Sequence, residues 1–442
     1  MGRLFGTDGV RGVANVDLTP ELALALASAT VEELGGDRPL AVVGRDPRPS
    51  GELLEAAVVA GLLASGADVV RLGVVPTPAV AHALTVPLAG STPPAFGVMI
   101  SASHNPMPDN GIKLFGAGGY KVPDDVEDRI ANRLGSQRHR PSGTGVGRVR
   151  ADLSDSIDWY VDHLVSTVPT PLTGLRVVVD CANGAAAVAA PAAYRRAGAD
   201  VVVINDDATG DRINEGCGAT WLGPLQDAVR AHGVAAGLAH DGDADRCLAV
   251  DAGGQVVDGD QILAVLAVAL QERGELTRDT VAATVMTNLG FHQAMAAHGI
   301  RVAETAVGDR YVLERMRAEG LALGGEQSGH VILADHATAG DGILTGLHLL
   351  ARIAQTQRSL ADLAGVMRRL PQVLVNVPVA DKAAALAALE PLVATASSDL
   401  GSDGRVLVRA SGTEPLVRVM VEATTMERAE RVAESLAATI RS

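Results

Sequence analysis

The stretch that decides the fold class is Gly66-Ala-Asp-Val-Val70, which recurs as Gly198-Ala-Asp-Val-Val202 and more loosely as Gly299-Ile-Arg-Val-Ala303. Each copy follows a stretch with the composition of a helix and opens a Val-rich run with the composition of a strand. A glycine between the two suits the left-handed position at which many helices end. The copies start 132 and 101 residues apart, which is too far for a solenoid and suits repeated α/β domains.

Further elements are predicted outward from these repeats. Residues 19–34 have the pattern of a helix, with Thr19 as N-cap and Pro20 in the first helical position. Residues 40–43 and 96–100 predict buried strands, and residues 50–64 predict a second helix. The C-terminal part predicts strand 373–379, helix 381–394, strands 405–409 and 416–422, and helix 426–440.

We therefore expect an α/β protein with three related α/β domains and a smaller C-terminal α+β domain. Linkers are expected in the polar segment 135–147, at the turn Ala252-Gly-Gly254 and near Leu370-Pro371. The predicted domains comprise residues 1–150, 151–252, 253–370 and 371–442.

The composition narrows the set of partners. The 442 residues include 37 basic and 52 acidic side chains, for a formal net charge of −15 at pH 7. Nucleic acid and anionic membranes are bound mainly through surplus Lys and Arg, so neither is expected as a partner. The three cysteines are far apart, and no signal peptide or membrane-spanning stretch is predicted. We expect a soluble, cytoplasmic protein that binds a small molecule.

The acidic segment Asp241-Gly-Asp-Ala-Asp-Arg246 predicts a metal site. Its three carboxylates alternate along the chain, so they project to one side of an extended segment or converge in a tight loop. They repel one another unless a cation lies between them, and carboxylate oxygens select Mg²⁺, Ca²⁺ or Mn²⁺. An EF-hand is excluded, because Arg246 and Ala252 stand where that loop requires Gly and Glu. Arg246 beside the cluster favours a bound phosphate, and a solvated acidic turn is the alternative.

A serine loop, Ile100-Ser-Ala-Ser-His-Asn-Pro106, follows the strand predicted at 96–100. A serine beside His and Asn at the end of a buried strand is typical of a presented nucleophile, although the same residues make ordinary turns. Lys113 comes soon after, and it is one of only three lysines beside 34 arginines. Because the pKa of a lysine falls readily on burial, Lys113 is a candidate acid or base.

Two more loops carry polar groups. Gly324-Gly-Glu-Gln-Ser-Gly-His330 offers a carboxylate, a hydroxyl and an imidazole, which suit sugar hydroxyls and proton transfer, with an ordinary loop as the alternative. Arg409-Ala-Ser-Gly-Thr-Glu-Pro415 has the groups of a phosphate-binding nest, and Arg418 adds a second cation. The sequence has no Walker A, G-x-S-x-G or H-E-x-x-H motif, so the chemistries of those motifs are not indicated.

In this order, the four segments resemble those of the α-D-phosphohexomutase superfamily over essentially the whole chain. The resemblance implies one site segment per domain, mixed sheets, and four domains arranged around a central cleft that closes over an intermediate. It also implies an isomerase that moves a phosphoryl group within a hexose phosphate. The group would pass through a phosphoserine and a sugar 1,6-bisphosphate, which also acts as activator.

The resemblance implies a role for each site residue. Ser103 would carry the phosphoryl group and His104 would support its loop. The implied acid and base candidates are Lys113, Arg11 and His330, and Arg11 suits a positioning role because a guanidinium rarely loses its proton. The implied metal is Mg²⁺, with ligands from phosphorylated Ser103, Asp241, Asp243 and Asp245. The implied substrate-binding residues are Arg246, Gly308, Asp309, Glu326, Ser328, Arg409, Ser411, Gly412, Thr413 and Arg418.

One branch of the superfamily is favoured. Phe5-Gly-Thr-Asp-Gly-Val-Arg-Gly12, Val307-Gly-Asp-Arg-Tyr311 and Gln327 resemble the bacterial branch that acts on glucosamine phosphates. That branch feeds UDP-N-acetylglucosamine and cell-wall synthesis, and its members are often homodimers. The alternatives are a phosphomannomutase or phosphoglucomutase, a metal-dependent phosphatase, and a non-catalytic protein that binds a metal or a phosphosugar.

Overall fold

The computed structural model describes residues 3–6, 8–88, 92–135, 140–411 and 414–441. Its contacts divide the chain into two units. The first unit comprises Met1–Val285 and Val302–Ala364, and the second comprises Met286–Arg301 and Gly365–Ser442. Among the described residues, no helix combines the length and the apolar character that crossing a membrane requires.

The first sheet has six strands in the order β1-β5-β4-β2-β3-β6. The pairs β2–β3, β2–β4 and β3–β6 are parallel, whereas β4–β5 and β1–β5 are antiparallel, so the sheet is mixed. The strands are β1 (Val10–Val13), β2 (Leu40–Arg45), β3 (Asp68–Val74), β4 (Phe96–Ile100), β5 (Asp109–Phe115) and β6 (Val149–Asp152). The helices are α1 (Pro20–Thr30), α2 (Ser50–Ala64), α3 (Thr77–Ala83) and α4 (Asp124–Asn132).

The second and third sheets repeat this mixed plan, in the orders β11-β10-β9-β7-β8 and β13-β12-β14-β15. The pairs β7–β8, β7–β9 and β12–β14 are parallel, and β9–β10, β10–β11 and β14–β15 are antiparallel. The strands are β7 (Arg176–Asp180), β8 (Asp200–Ile204), β9 (Ala236–Ala239), β10 (Leu248–Asp251), β11 (Val256–Val257), β12 (Thr280–Thr284), β13 (Arg301–Thr305), β14 (Leu323–Gly325) and β15 (Val331–Leu333). The helices are α5 (Asp158–Ser166), α6 (Ala186–Arg196), α7 (Gly223–His232), α8 (Gly259–Glu272), α9 (Leu289–Ala297), α10 (Asp309–Glu319), α11 (Gly342–Thr356) and α12 (Leu360–Ala364).

The three repeated glycines have the same role in each sheet. Gly66, Gly198 and Gly299 have φ values of +91°, +108° and +70°, which glycine adopts without strain. Each lies two residues after a helix, namely α2, α6 or α9, and two residues before a strand, namely β3, β8 or β13. The helix–glycine–strand repeat therefore predicts the fold class correctly.

The second unit contains a three-stranded antiparallel sheet in the order β16-β18-β17. Its elements are β16 (Gln372–Pro378), α13 (Lys382–Leu400), β17 (Arg405–Ala410), β18 (Leu416–Glu422) and α14 (Met426–Ile440). This confirms the predicted β-α-β-β-α order. Helix α13 ends at Leu400 rather than at 394, because Leu400, beyond the predicted end, packs into the core of this unit.

Helix α9 belongs by its contacts to the second unit, although it lies far upstream in sequence. At its N-terminus, the side chain of Asn288 donates to the Leu370 carbonyl and accepts from the Leu370 N–H, both at 3.0 Å. A Cβ at Gly290 would lie 2.0 Å from the Arg368 carbonyl oxygen. This close backbone contact explains why α9 groups with the C-terminal residues.

The predicted linkers have mixed outcomes. The turn at 252–254 joins β10 to β11 within one sheet, so it is a hairpin turn rather than a linker. In the segment 135–147, residues 136–139 lie outside the described residues, and Gly143–Gly145 form a single helical turn. The four predicted domain ranges stay predictions.

Candidate active site

A cavity of about 600 Å³ lies among the loops of the three mixed sheets. Its walls come from the N-terminal segment that leads into β1, the loop after β4, the loop between β9 and β10, the start of α10, and the loop between β14 and β15. Ten of the predicted site residues line it: Arg11, Ser103, His104, Asp245, Arg246, Gly308, Asp309, Glu326, Ser328 and His330. Residues more than 200 positions apart in sequence therefore meet in one place.

Ser103 is buried where the chain leaves β4, and its φ of +51° lies in the left-handed region. Its hydroxyl donates to Oδ2 of Asp241 at 2.7 Å. The Nδ1 atom of His104 lies 3.3 Å from the same hydroxyl. Burial, followed by the charges of Arg246 and Arg11, lowers the pKa of His104 to about 4. The serine oxygen therefore lies between a neutral imidazole and the acidic cluster.

The residues of the acidic cluster fit a divalent cation. One carboxylate oxygen from each of Asp241, Asp243 and Asp245 lies within 4.8 Å of the others, and all three side chains are buried. The Oδ1 atoms of Asp243 and Asp245 are buried and have no hydrogen-bond partner among the described residues. Burial and the two neighbouring carboxylates raise the pKa of Asp241 to about 7. Hard oxygen ligands, unpaired in a buried site, are what Mg²⁺ or Ca²⁺ requires.

Lys113 contacts this cluster from β5. Its Nζ atom lies 2.8 Å from an oxygen of Asp243 and 2.8 Å from an oxygen of Asp8. Burial acts to lower the pKa of Lys113, but the carboxylates of Asp243 and Asp8 act more strongly together and raise it above its ordinary range. The sequence-based expectation of a lowered pKa is therefore wrong, because the carboxylates outweigh burial, and the ammonium is held protonated.

His330 lines the same cavity and lies in the loop between β14 and β15, far from Ser103 and the acidic cluster in sequence. Its Nδ1 atom is 3.6 Å from Oδ2 of Asp245, and its Nε2 atom is 3.6 Å from Oδ2 of Asp309. Burial acts to lower the pKa of His330, and the two carboxylates raise it above the ordinary value. In the same wall, Glu326 accepts from the Gly308 N–H at 3.2 Å, and burial raises its pKa.

Sequence reasoning missed Asp8 and Lys121. The Nζ atom of Lys121 contacts Oδ1 of Asp8 and Oδ2 of Asp309, so it joins the N-terminal segment to the start of α10. Burial acts to raise the pKa of Asp8, but Lys113, Lys121 and Arg11 hold it well below its usual range. The rarity of lysine was a signal for Lys121 as much as for Lys113.

The predicted phosphate loop lies in the second unit. Arg409 and Arg418 stand opposite each other on β17 and β18, and burial together with the charge of Arg418 lowers the pKa of Arg409. Their Nε atoms are buried without a hydrogen-bond partner among the described residues. The Nζ atom of Lys382 donates to the carbonyl of Ser411 at 2.9 Å. Gly412 and Thr413, which were also predicted here, lie outside the described residues.

Comparison with known proteins agrees with this fold and site. Models of the phosphoglucomutase/phosphomannomutase family match α/β/α domain I at residues 2–140, domain II at 158–254, domain III at 258–370 and the C-terminal domain at 374–439. The chain therefore belongs to the phosphoglucomutase/phosphomannomutase family. This is the α-D-phosphohexomutase superfamily that its four sequence segments resemble. It is an isomerase of the mutase type, an intramolecular phosphotransferase.

Individual relatives cover nearly the whole chain. The phosphoglucosamine mutase of Saccharopolyspora erythraea is 62% identical over 443 residues, which cover 99% of this chain and 98% of that protein. The phosphoglucosamine mutase of Frankia casuarinae is 62% identical over 454 residues, which cover 100% and 98%. A solved phosphoglucomutase/phosphomannomutase family protein from Burkholderia thailandensis is 25% identical with a TM-score of 0.83, covering 98% of this chain and 95% of that one.

A more distant solved structure shares the fold. Aspergillus fumigatus N-acetylphosphoglucosamine mutase, solved in complex with GlcNAc-6P and magnesium, has a TM-score of 0.70 and 18% identity, covering 99% of this chain and 95% of that one. At this identity the likeness extends to the fold alone. The four family models and the Burkholderia thailandensis structure confirm the predicted three α/β domains with a smaller C-terminal domain.

Proposed function

We propose that this enzyme interconverts glucosamine 6-phosphate and glucosamine 1-phosphate through phosphorylated Ser103. The observation that carries the proposal is the Ser103 hydroxyl, held 2.7 Å from Asp241 at the edge of a cavity large enough for a hexose bisphosphate. Relatives with about 60% identity over the whole chain bear the name phosphoglucosamine mutase, which supports the amino sugar.

The reaction consists of two phosphoryl transfers. In the first, the bond from phosphorus to Oγ of Ser103 breaks and Oγ takes up a proton, while a bond to O1 of glucosamine 6-phosphate forms and the O1 proton passes to a base. The product of this step is glucosamine 1,6-bisphosphate, which turns over in the cavity. In the second, the bond from phosphorus to O6 breaks and O6 takes up a proton, while the phosphoryl group returns to Oγ and the Oγ proton passes to a base. Glucosamine 1-phosphate leaves, and Ser103 is again phosphorylated.

The metal in this proposal is Mg²⁺, with Asp241, Asp243, Asp245 and a phosphate oxygen on Ser103 as its ligands. The unpaired buried oxygens of Asp243 and Asp245 support the assignment. When bound, Mg²⁺ supplies neutralisation of the charge that develops on the transferring phosphoryl group.

Protons are moved by side chains around the serine. Lys113 remains an acid candidate, and its carboxylate neighbours keep its ammonium charged, so it can donate a hydrogen bond to a reacting oxygen. His330 is the second acid and base candidate, because Asp245 and Asp309 favour its charged form. Arg11 donates to the Ala102 carbonyl and to Asn105, which supports a positioning role, and His104 supports the serine loop.

The substrate is held by polar groups at both ends. Glu326 and Ser328 suit the ring hydroxyls in both orientations of the sugar. The other proposed contacts to ring and phosphates are Arg246, Gly308, Asp309, Arg409, Ser411, Gly412, Thr413 and Arg418. Closure over the bisphosphate would exclude water and protect the phosphoserine from hydrolysis.

We further propose a cytoplasmic location, a place in the supply of UDP-N-acetylglucosamine, and a homodimer.

Intact-mass spectrometry tests the phosphoserine. The purified enzyme should carry an adduct of about 80 Da, the mass that one phosphoryl group adds to serine. The adduct should be lost in Ser103→Ala and kept in the control Ser142→Ala, whose side chain is exposed. An enzyme without the adduct, even after incubation with glucose 1,6-bisphosphate, would support the non-catalytic alternative.

Rates on three substrates test the specificity. Turnover should be fastest with glucosamine 6-phosphate, compared with mannose 1-phosphate and glucose 1-phosphate. Faster turnover of a neutral sugar would favour the phosphomannomutase or phosphoglucomutase alternative. Steady release of inorganic phosphate without isomerised sugar would identify a phosphatase.

A further inference from the structure

The carbonyl oxygen of Ser103 accepts hydrogen bonds from two side chains that come from different α/β domains. Arg48 Nη2 donates to it at 2.9 Å, and Asn214 Nδ2 donates to it at 2.9 Å. The same two donors also reach the carbonyl of Asn105, at 2.8 Å and 3.1 Å. Arg48 and Asn214 together form what we call the carbonyl clamp.

The clamp acts on a residue with a strained backbone. The φ of +51° at Ser103 places a residue with a Cβ in the left-handed region, which persists only where the surroundings hold it. On the other side of the residue, the Ser103 N–H donates to Oγ of Ser101 at 2.9 Å. The peptide groups before and after Ser103 are therefore both fixed, and with them the direction of its Cα–Cβ bond.

Arg48 is fully buried and directs its guanidinium at one loop. Its Nε atom donates to Asp46 at 2.9 Å, which balances the charge. Its Nη1 atom donates to the carbonyls of Pro106 and Asp109, in addition to the two bonds made by Nη2. A planar fork with five donors can serve several carbonyls at once, which a lysine ammonium cannot do in the same geometry.

Asn214 ties the serine loop to the domain that carries the acidic cluster. Its own φ is +61°, and its N–H donates to the Ala182 carbonyl at 2.9 Å, so its position is set by the second sheet's loops. The metal loop touches the same carbonyl, since a Cβ at Gly242 would lie 2.4 Å from the Ser103 oxygen. Arg48 and Asn214 thus hold the serine loop at the place where it meets the acidic cluster.

We propose that Arg48 and Asn214 are positioning residues for phosphoryl transfer at Ser103. They hold the serine so that Oγ faces the carboxylates of the metal loop, both before and after it carries phosphate. Neither side chain is among those that line the cavity in the described part of the chain, so the clamp acts on the transfer step rather than on sugar binding. This inference rests on the proposed phosphoserine function.

Single-turnover kinetics of the phosphorylated enzyme test the clamp. Asn214→Ala should lower the rate of transfer to glucosamine 6-phosphate by about 10- to 100-fold, because small misplacements of a reacting group have effects of this size. Its KM should stay within about twofold of the original, since the cavity walls are unchanged. Asn214→Asp should lower the transfer rate further than Asn214→Ala does, because it places a carboxylate against two carbonyl oxygens.

The controls separate positioning from folding. Asn15→Asp changes another left-handed asparagine, in an exposed turn, and should leave the transfer rate unchanged. For Arg48→Ala, guanidinium ion added at millimolar concentration should restore part of the transfer rate. Arg48→Lys should transfer the phosphoryl group more slowly than the original enzyme. The phosphorus NMR shift of the phosphoserine should move in the Asn214 variants and stay in place in Asn15→Asp.

Three results would overturn the clamp: an unchanged transfer rate in both Asn214 variants, a rate that falls only in proportion to the folded fraction, or a loss confined to KM. The proposed function fails in a different way, because the original enzyme would then carry no phosphate on Ser103 and show no transfer. A phosphorylated, active original enzyme with equally active Asn214 variants refutes the clamp alone.

Discussion

The side chain of Thr77 donates to Oδ2 of Asp243 at 2.5 Å, and its backbone N–H donates to the Asp243 carbonyl at 2.9 Å. Thr77 is the first residue of α3, whereas Asp243 belongs to the acidic cluster 166 positions later. A residue of the first mixed sheet's domain thus orients a predicted metal ligand of the next. Removing a group of this kind typically weakens metal binding by about 10- to 100-fold.

Thr77→Val should raise the dissociation constant for Mg²⁺ by about 10-fold, because valine keeps the shape but removes the donor that orients Asp243. Isothermal titration calorimetry with MgCl₂ measures this constant directly. Thr85→Val, at an exposed position just beyond the other end of α3, is the matched control and should bind Mg²⁺ as the original does. Equal constants in all three proteins would show that Thr77 does not act on the metal.

Lys121→Met should lower kcat/KM by about 10- to 100-fold, which corresponds to about 1.4 to 2.7 kcal/mol of lost stabilisation. The physical reason is that Asp8 and Asp309 would lose the cation they share at the cavity edge. Steady-state kinetics measure the effect. Arg129→Met removes an exposed cation and should have no effect, and a Lys121 variant with the same kcat/KM as that control would contradict the prediction.

Unfolding free energy should fall in acid because of His348. Burial, followed by the charges of His336 and Arg273, lowers the pKa of His348 to about 3, and its ring lies 5.1 Å from that of His336. Below pH 6.5 His348 is protonated in the unfolded chain but stays neutral in the folded protein. The free energy of unfolding therefore falls as the pH falls from about 6.5 towards 3. Between pH 7.5 and 5.0 this histidine alone should remove about 2 kcal/mol.

Urea unfolding of His348→Gln at the two pH values measures that contribution. The drop in free energy on acidification should be smaller in this variant by about the same 2 kcal/mol. His232→Gln changes an exposed histidine at the end of α7 and should keep the full drop. An identical pH dependence in both variants would mean that His348 is not the titrating group.

Lys382→Met should raise KM for the sugar phosphate by about 10-fold and change kcat less, because a third cation supports the predicted phosphate loop of Arg409 and Arg418. Its ammonium also holds the Ser411 carbonyl. Steady-state kinetics separate the two parameters, with Arg431→Met on the exposed face of α14 as control. A fall in kcat at constant KM would assign Lys382 to a different step.

Local patterns predicted the elements of the fold well. The strands at 96–100 and 416–422 and the helices at 50–64 and 426–440 have the predicted bounds, and Thr19 caps α1 through the Leu22 N–H. These features depend on periodicity and on capping chemistry within one turn or one strand, so a single stretch of sequence contains them. The grouping of helix α9 with the second unit could not be predicted in this way, because it depends on a contact between its N-cap residue Asn288 and Leu370, 82 positions away.

The site was only partly predictable for the same reason. The rarity of lysine pointed to Lys113, and the same signal was available for Lys121. The direction of the Lys113 pKa could not be foreseen, because it depends on Asp243, which is 130 positions away. Arg48 and Asn214 lie 55 and 111 positions from Ser103, and no motif marks a side chain that serves a distant carbonyl.

The scarcity of lysine has a consequence for chemical labelling. Lys113 is 2% exposed, the side chain of Lys121 is 8% exposed, and all three lysines of the chain donate to a carboxylate or a carbonyl. An amine-reactive acylating reagent would therefore find almost no free lysine on the folded enzyme. Lysine acylation, followed residue by residue, would instead report how often the cavity and the phosphate loop open.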